Sequence, residues 1–83
     1  MALNKLKDKV KKFEKKNDFD KTDVKKLLKM VEEEISIIKS NLKNKEIIDH
    51  KLVDLQVLLL QIANRYDVDL DSEWEKWFKS EKY

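Results

Sequence analysis

The chain has no cysteine, no glycine and no proline among its 83 residues. Without cysteine there is no disulfide staple and no thiolate metal centre. Without glycine, the phosphate-cradling loops of nucleotide-binding folds, the Walker type included, are excluded outright. Lacking both glycine and proline, the chain must end its helices and turn its corners with other residue types. One histidine, His50, cannot build a zinc site unaided, and no Ser/His/Asp arrangement for nucleophilic catalysis stands out. No apolar run approaches the ~18 residues of a membrane span, and the basic N-terminal segment has no hydrophobic signal core. The expectation is a soluble, cytoplasmic protein.

What is present is charge and aliphatic surface: 43% charged and 41% hydrophobic residues. With turn-forming residues so scarce, that mixture points to an all-α chain with very short connections. Residues 1–83 form one small domain. A chain of this length buries only roughly 60–65% of its unfolded surface, so it is marginal alone and oligomerisation is the common remedy left. The net charge of +2 hides a gradient, because residues 1–45 carry fourteen Lys against eight acids and residues 46–83 carry five basic residues against nine acids. A basic half can meet nucleic acid or phosphate groups. Only Arg65 offers the bidentate fork that specific DNA readout uses, however, so a solvated lysine face is favoured and nucleic acid is not expected as a partner.

The apolar spacing predicts three long helices and a short fourth. The first runs from about Ala2 to Lys16 with a stripe of Leu3, Leu6, Val10 and Phe13, and Asn17-Asp18-Phe19-Asp20 then breaks it. The second, Thr22 to Leu42, carries Val24, Leu27, Leu28, Val31, Ile35, Ile38 and Leu42 at the spacing of a core-facing helix, widened by Met30 and Ile37. The third, Glu46 to Tyr66, has a wide face that includes Leu52, Leu55, Leu58, Leu59, Ile62 and Tyr66. A second strip of Val53, Val57 and Leu60 lies on its opposite side. A helix apolar on two faces must be covered on both, which points to a partner chain. The fourth starts after an N-cap at Asp69, or alternatively at Ser72 with a Ser72–Glu75 capping box. It carries Leu70, Trp74, Trp77 and Phe78, aromatics that at this spacing are core or interface anchors more often than base-stacking platforms.

Two charges fall on inner faces. Glu34 lies between the main stripe of the second helix and its Met30/Ile37 strip, whereas Glu33 sits at the edge and Glu32 faces solvent. On the third helix Lys51 falls between Ile47, Leu58 and Ile62, with Asp54 at the margin. An unpaired buried carboxylate is expensive, so Glu34 requires a cation, a metal or strong donors beside it. Acids from two packed helices can hold a hard cation such as Mg²⁺. The plain alternative is a lysine whose stem lies along the core while its ammonium reaches water.

Along nearly its whole length the chain resembles the MazG-type, all-α nucleoside triphosphate pyrophosphohydrolases. Phe13-Glu14-Lys15-Lys16-Asn17-Asp18-Phe19 is similar to the family's opening element, with Phe19 where Trp is usual. Leu27-Leu28-Lys29-Met30-Val31-Glu32-Glu33-Glu34 looks like the start of its Leu-rich helix bearing E-E-x-x-E. Lys51-Leu52-Val53-Asp54 and the aliphatic run to Ala63 resemble the E-x-x-D helix, and Tyr66-Asp67-Val68-Asp69-Leu70 with Trp74 and Trp77 the closing turn and helix. Two positions depart from the pattern. With Glu33-Glu34 as the paired glutamates, Ile37 stands where the third belongs; a register one earlier uses Glu32-Glu33 and puts Ser36 there. The first register is preferred because it sets Glu34 inside the apolar arc. In either register Lys51 replaces the glutamate of E-x-x-D.

The resemblance implies a MazG-like four-helix core completed by oligomerisation, as a homodimer or homotetramer, and a nucleotide as ligand. In a working enzyme Glu33, Glu34 and Asp54 would hold Mg²⁺ for hydrolysis of a nucleoside triphosphate to monophosphate and pyrophosphate; no catalytic residue is assigned. An ammonium at position 51 repels such a cation and can neutralise Glu34 directly. The alternative function is therefore a non-catalytic helical oligomer, an interaction or nucleotide-sensing module in which a Glu34–Lys51 ion pair occupies the former metal site.

Overall fold

A computed structural model describes residues 2–80. It contains four helices, α1 (Leu3–Lys16), α2 (Val24–Lys39), α3 (Lys45–Arg65) and α4 (Leu70–Ser80), and no strand among the described residues. No helix there is long and apolar enough to cross a membrane. The helices α2 and α3 form an antiparallel hairpin, α1 lies across α3, and α4 rests on α1.

The helix boundaries follow from capping chemistry. Asp23 caps α2, its carboxylate accepting from the Lys25 amide, which starts the helix at Val24 rather than Thr22. Asn44 caps α3 through the Ile47 amide, which starts the helix at Lys45 rather than Glu46. At the other end α2 stops at Lys39, short of Leu42. There the Ser40 hydroxyl and Asn41 amide bond back to the Ser36 and Ile37 carbonyls, at 3.2 and 2.7 Å, competing with further helix. Asp69 prevails over Ser72 at the start of α4, since its carboxylate accepts from the Ser72 amide at 3.1 Å and from Asn4 Nδ2 at 2.9 Å. The Leu70 amide in turn donates to Asn4 Oδ1. The Asn4 and Ser72 donors hold the Asp69 carboxyl below its ordinary value.

Aspartate supplies both left-handed corners. Asp18 (φ 58°) follows α1 and Asp67 (φ 50°) follows α3. In each case the next amide reaches back five residues, Phe19 to the Glu14 carbonyl and Val68 to the Ala63 carbonyl, the bond that closes a Schellman motif. Aspartate tolerates this region better than most residues with a Cβ. The accompanying hydrophobic contact is the Phe13–Phe19 ring pair, centroids 6.1 Å apart.

The core is small: Val10, Leu27, Leu58, Leu60 and Ala63. It departs from the expected stripes in two places. On α1 the buried residues are Lys7, Val10 and Glu14, while Leu6 and Phe13 lie exposed. The reason is partners: Lys7 Nζ donates to the Val68 carbonyl in the connection between α3 and α4, and Glu14 meets Arg65. On α2 and α3 the apolar faces are split. Leu27 and Leu58 pack inward, whereas Leu28, Ile35 and Leu42 on the α2 side and Leu52, Leu59 and Tyr66 on the α3 side remain 40–72% exposed. The second strip of α3 is largely covered within the chain, with Leu60 buried and Val57 half-buried; Val53 stays exposed. Trp74, Trp77 and Phe78 pack on one another, centroids 5.1–5.6 Å apart, on the exposed side of α4.

Candidate functional site

Glu34 from α2 and Lys51 from α3 meet across the hairpin. Lys51 Nζ lies 3.0 Å from Glu34 Oε2 and 3.4 Å from Asp54 Oδ2, with the Lys51 and Glu34 side chains 25% and 20% exposed. The antiparallel packing of α2 on α3 brings positions 34 and 51 level, and one turn of α3 sets Asp54 beside Lys51. The Glu34 contact is an ion pair by distance but poorly aimed, because Oε2 is left without a hydrogen bond of good geometry. The Asp54 contact does meet hydrogen-bond geometry. Glu34 is the main reason the ammonium titrates above its ordinary value; Asp54 adds to the rise and desolvation opposes it.

The structure thus brings Glu34, Lys51 and Asp54 together and leaves Glu33 and Glu32 exposed beside them. Ile37 is exposed on α2. No three His, Cys, Asp or Glu side chains among the described residues gather where they could hold a metal ion. With two carboxylates already committed to an ammonium, the residues present do not fit Mg²⁺, which prefers several oxygen ligands and is repelled by a positive neighbour. His50 lies exposed on α3.

A raised lysine value fixes the sign of a pH effect. The stability that the pair contributes is fully present below the ordinary value, 10.5, and is lost as pH rises through the higher folded-state value. Wild type should therefore exceed Lys51→Met in urea midpoint by a constant margin from pH 7 to 9. That margin should shrink at pH 11. A margin that grows with pH would remove the pair as its source.

The most enclosed polar cluster lies elsewhere. Glu14 is 0% exposed, and its Oε2 takes Arg65 Nη2 at 2.5 Å and Gln61 Nε2 at 3.2 Å. The same guanidinium donates to the Phe19 carbonyl at 2.9 Å and, through Nε, to the Thr22 carbonyl at 3.1 Å. Arg65 thereby ties the end of α3 to the end of α1 and to the loop that opens α2. Glu14 Oε1 is buried with no partner among the described residues. The signal in the sequence for this cluster was the presence of a single arginine among eighteen lysines. A planar fork meets several acceptors where an ammonium cannot.

Comparison with family profiles, with curated proteins and with solved structures finds no match for this chain.

Proposed function

We propose that the chain is a non-catalytic, self-associating helical module on a MazG-like plan, in which an internal lysine has taken the place of the metal. The observation that carries the reading is the uncovered seam on the α2–α3 hairpin. Leu28, Val31, Ile35, Ile38 and Leu42 alternate at spacings of three and four, as do Ile48, Leu52, Leu55, Leu59, Ile62 and Tyr66. That is the heptad pattern by which two helices pack on two others. Six of these side chains, about half uncovered, leave on the order of 600 Å² of apolar surface per chain, near the roughly 800 Å² per partner of a standard interface. A patch of that size on a lone chain marks an interaction surface, and its self-complementary heptad register suits a second copy.

The Glu34–Lys51–Asp54 cluster supports the non-catalytic half of the reading. Hydrolysis of a nucleoside triphosphate by the family's chemistry draws on a divalent cation held by clustered carboxylates, and here an ammonium stands between them.

Sedimentation equilibrium at tens of micromolar should find wild type as a dimer or tetramer. Leu52→Lys/Leu59→Lys should be monomeric with its helical circular dichroism retained. With Mg²⁺ or Mn²⁺ and a panel of nucleoside triphosphates, pyrophosphate release should not exceed the protein-free blank. A monomeric wild type would sink self-association; robust turnover would sink the non-catalytic reading.

A further inference from the structure

An open cleft of about 630 Å³ lies between α1, α2 and α3. Val10, Leu27 and Leu58 line it and are buried, so its inner surface is aliphatic. One polar side chain is buried among them. Gln61, 7% exposed, lines the same cleft. Its Nε2 donates to Glu14 Oε2 at 3.2 Å. A carboxylate paired with a guanidinium only accepts, so Glu14 fixes which end of the amide is nitrogen and leaves Oε1 as the other end. No donor among the described residues reaches that oxygen. A buried acceptor without a donor is costly, and buried polar groups are nearly always paired. Volume, apolar lining and a single orienting polar group are the attributes of a small-molecule site.

We infer that the cleft binds a small uncharged alcohol, its aliphatic body against Val10, Leu27 and Leu58 and its hydroxyl donating to Gln61 Oε1. The charges lining the cleft set no sign, because Lys9 and Lys26 against Glu34 and Asp54 sum to zero. Lys9, Lys26 and Asp54 are exposed and stay hydrated at the rim, and Glu34 already faces the Lys51 ammonium. A charged ligand group carried inside would leave water for aliphatic surface with no counter-charge in reserve. The free group at depth is an acceptor, so the ligand has to donate. A hydroxyl does so without charge, whereas an amine of the same shape is protonated at neutral pH.

The inference stands apart from self-association. Leu52 and Leu59 lie roughly half-way round α3 from Val57 and Gln61, so a partner on the seam leaves the cleft open.

The test titrates ¹⁵N-labelled protein with 1-octanol, with its isomer methyl heptyl ether, which has no hydroxyl, and with octanoate and octylammonium. Saturable shifts from octanol should gather at Val10, Leu27, Leu58 and Gln61. The ether and both ions should bind at least about threefold more weakly, the scale of one lost hydrogen bond. Gln61→Met should bind octanol and the ether equally, a convergence that loosened packing alone does not produce. Met30→Trp, at an exposed position lining the cleft, should fill it and abolish the shifts while keeping its helical circular dichroism. Shifts that fail to saturate, that gather on the seam or around Trp74 and Trp77, or that persist in Met30→Trp overturn the site. Octanoate or octylammonium binding as tightly as octanol overturns the uncharged assignment. An ether that matches octanol in wild type overturns the part given to Gln61.

Discussion

Arg65→Met should lower the unfolding free energy by about 3–5 kcal/mol, the range for breaking a buried ion pair from one side. Glu14 is fully enclosed and Arg65 largely so, and loss of the guanidinium strands a carboxylate that already has one oxygen without a partner. Three acceptors from three places in the chain lose the guanidinium together: the Phe19 and Thr22 carbonyls, and Glu14 Oε2, which keeps only the neutral Gln61 amide. Total stability of a domain is typically about 5–15 kcal/mol, so the variant should be partly unfolded at 37 °C. Arg65→Lys should recover only part, since an ammonium cannot present a fork to all three. Glu14→Leu/Arg65→Met should recover more than Arg65→Met, because it removes the stranded charge along with its partner. Urea titration followed by circular dichroism measures all three. A loss below about 1 kcal/mol in Arg65→Met would show that the cluster is not holding the three segments together.

Leu27→Ala should cost about 2–5 kcal/mol, the span for truncating a buried leucine. The size of the expected loss comes from how little else anchors α2. Leu27 is 1% exposed and is the helix's one buried residue, whereas Leu28 and Ile35 on the same helix face outward. A cavity there also opens onto the cleft between α1, α2 and α3 that Leu27 helps to line. Hydrogen exchange gives a second readout: amides of α2 should lose protection before those of α1 and α3. Uniform loss across all helices would mean that α2 is held by more than this one anchor, and a loss under about 1 kcal/mol would mean the site collapses without cost.

The helices were legible because apolar residues recur with helical period, and missing glycine and proline left few other structures for them to form. Their ends were less legible, and the errors trace to side chains that bond to backbone. Ser40 and Asn41 stop α2 before Leu42, although the hydrophobic pattern continues through that residue. The inward projection of Glu34 and Lys51 could be derived from the wheel, and the two side chains meet 3.0 Å apart. The inner face of α1 could not be derived from hydrophobicity, because Lys7 and Glu14 are buried through partners more than fifty residues away in sequence. No local pattern reports those partners. The same blindness affects the stripes of α2 and α3: periodicity tells which residues are apolar, not whether this chain or another copy covers them.

Each residue of the chain carries a side chain, including the two aspartates at its left-handed corners. The consequence concerns the chain before it folds. A disordered segment gains much of its freedom from glycine, which visits dihedral regions that a Cβ closes off. This polypeptide has no such hinge anywhere, which narrows its disordered ensemble, while the absence of proline, whose ring would fix φ, offsets part of that narrowing. Part of what favours the native bundle is thus the relative poverty of the state it leaves behind.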